Sequence, residues 1–335
     1  CCRSVSTRPS VSSVVKKLSE STDGGLIVYI HCVILCSSKG AIIMNLVTVM
    51  TLFPTAEACF AHLEHLRFRD GAYCPKCRSS QVARKKERGR VGRWNCHACK
   101  SSFNVLSGTM FQRTKIPLQK WFLAIAIMVN AKKSVSSCQL ARDLEMNQSS
   151  AWYMQQRIRS EMARRQQEIT LQGIIEADET YIGGKPRKPN KRADDKPAAR
   201  GRGTKKTAII GAVQRGGNLI AQVSPDVTGQ SILRFIKKHV DPSDSMLFTD
   251  EYASYKAVSG TIPHIAINHR EQYSHGLVNI NTIEGAWSLL KRAWIGTHHH
   301  YTERWMPLFV AEAVWKYNKR KSGNAFAEFI QGVFV

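Results

Sequence analysis

The chain has 335 residues, a formal net charge of +24 and a sequence pI near 9.9. This length predicts two or three domains, because one domain takes about 100–200 residues. The 49 basic residues against 25 acidic ones argue against an ordinary single-domain enzyme of balanced charge. Such an excess attracts polyanions through a field that salt screens. We therefore favour a nucleic-acid partner over a surface that is merely very soluble.

Residues 1–43 contain no motif to which we can assign a function, and we expect a disordered arm or translated upstream sequence. The chain opens with Cys1, whereas Met44 and Met50 directly precede the first organised sequence. The apolar run 25–36 is shorter than the ~20 residues that cross a bilayer, and it lies too far along the chain for a signal peptide. We therefore expect an intracellular, DNA-associated protein with no membrane segment.

Residues 52–110 are predicted to form a zinc ribbon. Two C-x-x-C pairs, separated by eighteen residues, fit the spacing of a four-thiolate zinc site. Such a site closes a tetrahedron around the metal and is structural rather than catalytic. The region is rich in Lys and Arg, which favours DNA contact, although zinc ribbons also serve as protein–protein modules. The predicted ligands of one structural Zn²⁺ are Cys74, Cys77, Cys96 and Cys99.

Residues 117–167 are predicted to be helical and to contain a helix-turn-helix. Residues 139–142 lie in its first helix, and residues 146–148 form the turn. Ser149 and Ser150 are expected to cap the second helix, whose start faces base edges in such folds. An ordinary helical hairpin is the alternative. The candidates for DNA contact are Ser149 and Arg157.

From residue 173 to 335 the pattern predicts an α/β domain. Gly216 and Gly217 fit a hairpin turn between the second and third strands. The strand-like runs are GIIEADETYIGG, KTAIIGAVQR, NLIAQVS and DSMLFTDEY. The predicted helices span about 231–239, 281–294 and 305–319.

The segment 185–206 between the first two strands is predicted to be a mobile basic loop, because it mixes Lys and Arg with Pro and Gly and cannot build a core. A solvated charge run is one interpretation. In so basic a chain we favour a loop that lies on the DNA backbone, with Lys188 and Arg192 as candidate contacts.

Three carboxylates stand out as candidate metal ligands. Asp178 lies in the first strand, Asp250 ends a later apolar strand, and Glu284 lies in the first turn of a helix. Carboxylates that follow apolar runs are costly to bury unless a cation is present. Hydrolysis and transfer of DNA phosphodiesters by two metal ions need hard oxygen ligands of this kind.

The motifs DETYIGGK, FTDEYASY, NTIEGAWSLLKR, GTHHH and AVWKYNKR occur in this order. The chain from about residue 52 to 319 thereby resembles the zinc-ribbon-bearing, ISXO-like insertion-sequence DDE transposases, relatives of the Merlin transposases. The resemblance implies an RNase H-like catalytic domain, with a mixed sheet flanked by helices. It also implies DNA cleavage and strand transfer at terminal inverted repeats, with Asp178, Asp250 and Glu284 holding two Mg²⁺ or Mn²⁺ ions.

Further candidates follow from their positions. Lys291 and Arg292 lie two turns after Glu284 on nearly the same helix face, where they could hold DNA phosphate. His269 and residues 298–300 could assist or contact DNA, although structural or surface roles are as plausible. Trp287 and Trp294 are expected in the core.

Because two element ends must be cut together, we expect at least a dimer on double-stranded DNA. The alternatives are a catalytically inactive, transposase-derived DNA-binding regulator and an RNase H-like nuclease without strand transfer. A zinc-ribbon transcription or RNA-processing factor would leave the second half of the chain unexplained.

Overall fold

The computed structural model describes residues 44–87, 90–166, 169–183, 206–267, 279–300 and 302–334. The expectations for residues 1–43, for nearly all of the basic loop 185–206 with Lys188 and Arg192, and for His269 lie outside the described residues. The chain divides into two compact units. The first contains the residues up to Ala131, Ser137–Ile158 and the stretch from Ser322 onward, and the second contains Lys132–Ser136 and Arg159–Lys321.

The first unit begins with two helices, α1 (Leu46–Leu52) and α2 (Ala56–Arg67). Each starts where a polar side chain accepts a backbone N–H: the Asn45 side chain caps α1, and the Thr55 side chain caps α2. Within the described ranges, no single helix has the length and apolar character of a membrane span. The pair α1 and α2, bent by 93°, reaches that length and apolar character only when taken together.

A three-stranded antiparallel sheet follows, in the order β1-β2-β3. Its strands are β1 (Val82–Glu87), β2 (Arg90–Cys96) and β3 (Ser102–Asn104). Trp94 on β2 packs edge-on against Phe68, and its indole N–H donates to Glu64 of α2 over 3.1 Å. Trp94 thereby joins the small sheet to the preceding helix.

Three helices complete the central part of the first unit: α3 (Leu118–Asn130), α4 (Ser137–Asp143) and α5 (Gln148–Arg164), of which α5 continues into the second unit. The expected cap of α5 was wrong. The helix already begins at Gln148, and the Asn147 side chain accepts the Ser150 backbone N–H over 2.8 Å. Asn147 takes this position because its short carboxamide reaches the third amide of the helix, so Ser149 lies inside the first turn.

The end of the chain returns to the first unit rather than extending the α/β domain, which was predicted to run to residue 335. Helix α9 (Ala325–Gln331) places the Phe326 ring 5.8 Å from Phe122 of α3 and 6.4 Å from Phe53. These three rings come from separate parts of the sequence. The core of the first unit therefore depends on residues from both ends of the described chain.

The second unit is built on a five-stranded mixed sheet in the order β6-β5-β4-β7-β8. The first three strands in this order are antiparallel, whereas β7 runs parallel to β4 and β8 runs parallel to β7. The predicted hairpin between β5 and β6 is confirmed, with Gly216 at φ +72°. The strands are β4 (Leu171–Ile182), β5 (Thr207–Gln214), β6 (Leu219–Ser224), β7 (Val240–Asp250) and β8 (His264–Ile267).

Helices cover both faces of this sheet and give it two apolar layers. Helix α6 (Gly229–His239) and the 3₁₀ helix Ala253–Val258 pack on one face. Helices α7 (Asn281–Ala293) and α8 (Met306–Asn318) pack on the other. Side chains alternate along β4, so that Ala177 joins the first layer and Ile182 joins the second. The even-numbered residues of β4 therefore face α7.

Candidate metal centres

The four predicted zinc ligands form one cluster in the first unit, which we call the cysteine cluster. The Sγ atoms of Cys74 and Cys99 are 3.7 Å apart, and those of Cys77 and Cys96 are 3.5 Å apart. Zn–S bonds of about 2.3 Å in a tetrahedron place two sulfurs about 3.8 Å apart. The cluster therefore fits a closed four-thiolate zinc site.

Hydrogen bonds favour the thiolate form of two of the four cysteines. Burial opposes ionisation of Cys74, but backbone hydrogen bonds from Cys77 and Lys76 prevail and lower the pKa of its thiol to about 6. Hydrogen bonds with the side chain and backbone of Ser101 lower the pKa of Cys99, and the Ser101 hydroxyl lies 2.8 Å from the Cys99 Sγ. Thiolate, rather than thiol, is the form that binds zinc.

In the second unit, the parallel register of β4 and β7 brings two of the predicted catalytic carboxylates together. Glu176 pairs with Phe248 at the end of this register, and Asp178 and Asp250 each lie two residues further along their strands. Their oxygens, with that of Glu179, lie within 4.8 Å of one another. We call these three residues the acidic group. Oxygens that bind one divalent cation at about 2.0–2.6 Å lie no more than about 4–5 Å apart, so the spacing suits a divalent ion.

Asp178 is held in an apolar setting on the α7 side of the sheet. The Trp287 indole N–H donates to its Oδ2 over 3.1 Å. Burial, together with the carboxylates of Glu179 and Asp250, raises the pKa of the Asp178 carboxyl to about 7. A carboxyl in this state needs a nearby positive charge to be ionised at low cost, which is the property of a cation ligand.

A glycine makes room for the indole that orients Asp178. Gly211 on β5 pairs directly with Asp178. A Cβ atom at Gly211 would lie 2.4 Å from Cη2 of Trp287, a distance that no real Cβ contact tolerates. Trp287 is 4% exposed, as expected for a core residue, but it also contacts the candidate site.

Asp250 and Glu179, the other two members of the acidic group, accept hydrogen bonds from residues that follow β7. The backbone N–H of Tyr252 donates to the Asp250 Oδ1 over 3.0 Å, which orients this carboxylate at the end of β7. The Tyr255 hydroxyl donates to the Glu179 Oε2 over 3.4 Å. Burial and the three carboxylates raise the pKa of Tyr255 well above its usual value, so the phenol stays protonated and remains a donor.

Glu284, the third predicted ligand, lies in the first turn of α7 and is exposed. It is not one of the three residues whose oxygens lie within 4.8 Å of one another. It precedes Trp287 by three residues, and such positions are neighbours on a helix surface. Helix α7 therefore brings Glu284 to the side of the sheet that carries Asp178. Glu179 occupies the third place in the acidic group.

The predicted DNA-contact residues divide into exposed and internally bonded ones. Ser149, Lys291 and Arg292 are exposed, although the Arg292 Nε donates to the Ser288 hydroxyl over 3.1 Å. Arg157 donates to the Gln112 backbone carbonyl over 3.0 Å and to the Tyr153 hydroxyl over 2.8 Å. Of these residues, Ser149 and Lys291 are the two for which the described contacts name no internal side-chain partner.

Charges are also buried around α8, where they form ion pairs with one another. Glu312 accepts hydrogen bonds from Arg159 over 2.7 Å, from Lys316 over 2.6 Å and from Ser134 over 2.9 Å. Burial opposes ionisation, but Lys316 and Arg159 lower the pKa of Glu312 to about 2. His298 lies in this cluster, with an imidazole nitrogen 2.8 Å from the Ser134 hydroxyl, whereas residues 299 and 300 are exposed. His298 is therefore a structural residue of the second unit.

Two residues next to the acidic group, Glu176 and Arg215, were not predicted from the sequence. Glu176 is completely buried. It accepts a hydrogen bond from the Arg215 Nε over 2.6 Å. A signal was present in the sequence, because Glu176 and Asp178 are two residues apart and side chains at that spacing share one face of a strand.

With this geometry in place, comparison with known families assigns the chain. Residues 54–102 match the transposase zinc-ribbon domain. Residues 170–318 match the ISXO2-like transposase domain, which is a DDE transposase domain. The protein is thus a transposase by family. As its motifs indicated, the chain carries a transposase zinc ribbon followed by an ISXO2-like transposase domain.

An archaeal protein is similar over most of its length. The chain is 27% identical over 246 residues to an uncharacterized protein in transposable element ISH50 of Halobacterium salinarum, a match that covers 70% of this chain and 82% of the relative.

Solved structures of the Mos1 transposase were also matched, at low similarity. A pre-cleavage Mos1 transpososome gives 11% identity and a TM-score of 0.24, covering 60% of this chain and 75% of that one. A Mos1 paired-end complex with Mn gives 13% identity and a TM-score of 0.21, covering 59% and 74%. The family assignment therefore stands on the two domain matches.

Proposed function

We propose that this protein is the transposase of an insertion element: it binds the terminal inverted repeats, cleaves the DNA there and transfers the strand to a target. The observation that carries the proposal is the proximity of the Asp178 and Asp250 carboxylates, which come from neighbouring strands and have oxygens within 4.8 Å of one another, with the pKa of Asp178 raised to about 7. We further propose an RNase H-like assignment for the mixed sheet and its flanking helices, and a helix-turn-helix in α4 and α5.

The proposed site holds divalent cations, Mg²⁺ or Mn²⁺, on Asp178, Asp250 and Glu284, with Glu179 as a fourth carboxylate. When bound, such ions stabilise the attacking and leaving oxygens of a phosphodiester displacement. The chain's own contribution is orientation. The Trp287 indole holds Asp178, and the Tyr252 amide holds Asp250. Rigid ligands favour in-line attack, first by water and then by the released 3′-OH.

DNA binding is proposed for exposed cationic surfaces in both units. Lys291 on α7 follows Glu284 by two helical turns, which suits contact with a phosphate beside the cations. Ser149 in the first turn of α5 is exposed and available to DNA. In the first unit the cysteine cluster would hold one Zn²⁺, which replaces the core that so short a module cannot build. Assembly into at least a dimer follows from the need to cut two ends.

The direct test is cleavage of a DNA duplex that carries the element end, with and without Mg²⁺. Removal of one ligand costs several kcal/mol of transition-state stabilisation, so Asp178→Asn and Asp250→Asn should each slow cleavage about 1,000-fold. Asp244→Asn is the matched control, because Asp244 lies on the same strand as Asp250 but is exposed outside the acidic group. If the wild-type protein does not cleave with Mg²⁺, it is a DNA-binding regulator, and if Asp178→Asn cleaves at the wild-type rate, Asp178 is not a catalytic ligand. Either result contradicts the proposal.

A further inference from the structure

Glu176 of β4, two residues before Asp178, caps the N-terminus of helix α7. The N-cap residue of α7, Ile280, has no side chain that can accept a hydrogen bond. Instead, the Glu176 Oε2 accepts the backbone N–H groups of Thr282 over 2.8 Å and Ile283 over 3.1 Å. These are the second and third amides of the helix, which a capping side chain normally satisfies. A carboxylate there also suits the positive end of the helix dipole.

Glu176 has no oxygen left for a metal. Its Oε1 accepts the Thr282 hydroxyl over 2.8 Å and the Arg215 Nε over 2.6 Å. With the two amides on Oε2, four donors occupy the four lone-pair sites of the carboxylate. A role as a further metal ligand is therefore excluded by its hydrogen bonds.

Arg215 extends the contact to β7 and to the entry of α7. Its Nη2 donates to the Asn279 backbone carbonyl over 2.6 Å, two residues before α7 begins. Its guanidinium also lies over the Phe248 ring on β7, 5.1 Å from the ring centroid. Because guanidinium is planar and presents several donors, one arginine can contact three segments at fixed angles.

The contacted positions share one spacing relative to the predicted ligands. Glu176 precedes Asp178 by two residues, Phe248 precedes Asp250 by two, and Thr282 precedes Glu284 by two. One ion pair thus joins β4, β7 and α7 in a single layer next to the three carboxylates. Two of these segments are neighbouring strands, whereas α7 is a separate element whose position no sheet hydrogen bond determines.

From this arrangement we propose that Glu176 and Arg215 are positioning residues that set the distance of Glu284 from Asp178 and Asp250. The proposal rests on the proposed function, because it assumes that these three carboxylates hold the cations. The Glu176–Arg215 pair fixes the first turn of α7 against the sheet, and a change of an ångström there would separate Glu284 from the other ligands. Residues that orient metal ligands in this way affect metal affinity about 10- to 100-fold.

The test uses full-length, zinc-loaded protein and Mn²⁺ alone, with free Mn²⁺ measured by electron paramagnetic resonance. Glu176→Gln keeps the size of the side chain but replaces one acceptor oxygen with a donor group. We expect it to weaken Mn²⁺ binding about 10-fold and to increase hydrogen exchange at the amides of residues 282 and 283. In cleavage assays it should raise the Mg²⁺ concentration for half-maximal rate by the same factor and leave the KM for DNA unchanged.

Glu312→Gln is the matched control. It breaks a buried ion pair of the same kind in the same unit, and none of the contacts described for Glu312 reaches β4, β7 or α7. This variant should lose stability and keep Mn²⁺ affinity within twofold of wild type. Arg215→Lys provides a second variant if Glu176→Gln does not fold, because it keeps the charge and loses the forked geometry; it should weaken Mn²⁺ binding less than Glu176→Gln.

Asp178→Asn separates the two possible failures. If Asp178→Asn abolishes Mn²⁺ binding while Glu176→Gln and Arg215→Lys both bind Mn²⁺ as wild type does, the positioning role is wrong and the proposed function stands. If Asp178→Asn binds Mn²⁺ as wild type does, the metal site itself is wrong, and the positioning role falls with it.

Discussion

The cysteine cluster and the acidic group are both dense in metal-type ligands, but the chain assembles them in opposite ways. The four cysteines lie between residues 74 and 99, in two knuckles that each place two thiols on one turn. The carboxylates come from β4 and β7, whose alignment depends on a parallel register, and Glu284 comes from a separate helix. A site whose ligands are close together in the sequence needs only the correct spacing. A site whose ligands come from distant segments needs other residues to hold those segments in position.

Removing the zinc is the strongest test of the contrast between these two sites. Structural zinc sites of this kind contribute about 10 kcal/mol or more to the folded state. We expect Cys77→Ser to abolish zinc binding and to increase amide exchange throughout β1, β2 and β3. Cys138→Ser is the control, because Cys138 is an exposed thiol outside the cluster. Retention of one zinc per chain and of strand protection in Cys77→Ser would show that the small sheet does not depend on the metal.

The buried charges around Glu312 differ from the acidic group, because there the cations that pair with a buried carboxylate are side chains of the protein. Burial, followed by the positive charge of Arg159, lowers the pKa of the neighbouring His298 to about 4 from its ordinary 6.5. Protonation of His298 is therefore unfavourable in the folded state. The free energy of unfolding keeps its full value, as far as this group is concerned, above pH 6.5. It decreases as the pH falls through 6.5 towards 4, by up to about 3 kcal/mol.

Chemical denaturation between pH 7 and pH 4 measures this loss. His298→Gln should flatten the dependence, since it removes the titrating group. His300→Gln should not, because His300 is exposed. An unchanged pH dependence in His298→Gln would mean that other groups cause the acid destabilisation.

The smallest expected effect tests the fit between the sheet and α7. Gly211→Ala places a methyl group against the Trp287 indole, and overpacking of this kind costs about 1–3 kcal/mol. We also expect weaker Mn²⁺ binding, because a displaced indole no longer donates to Asp178. Gly260→Ala is the control, since a Cβ atom there meets nothing within 4 Å. Wild-type stability and Mn²⁺ affinity in Gly211→Ala would show that the indole has room to adjust.

Much of the local structure was predictable. The hairpin at Gly216, the helix from Asn281 and the cysteine pairs each depend on residues close together in the sequence. Helix α2 was not predicted, because its apolar residues form only a weak stripe and it packs through contacts with distant segments. The Asn147 cap was also missed, since Ser and Asn are similarly favoured at that position and composition alone does not separate them.

The candidate site was predictable in its residue types and less so in its arrangement. Asp178 and Asp250 were identified because both acids follow apolar runs, where a buried carboxylate is costly, and the structure brings them together. Glu179 entered the group, although it points to the other face of β4, and Glu284 is not among the three closest carboxylates. Neither fact follows from spacing, because both depend on how α7 and the 3₁₀ helix pack on the sheet.

The sequence by itself determined the family, the zinc ribbon and the two strand carboxylates, because each is encoded by residues within one short segment. Only the tertiary structure decided that Glu176 caps α7, that Gly211 admits Trp287, and that α9 packs on the first unit. Those contacts join residues as much as about 270 positions apart in the chain. Their energies come from burial and hydrogen bonding after the chain has folded, so no local pattern in the sequence records them.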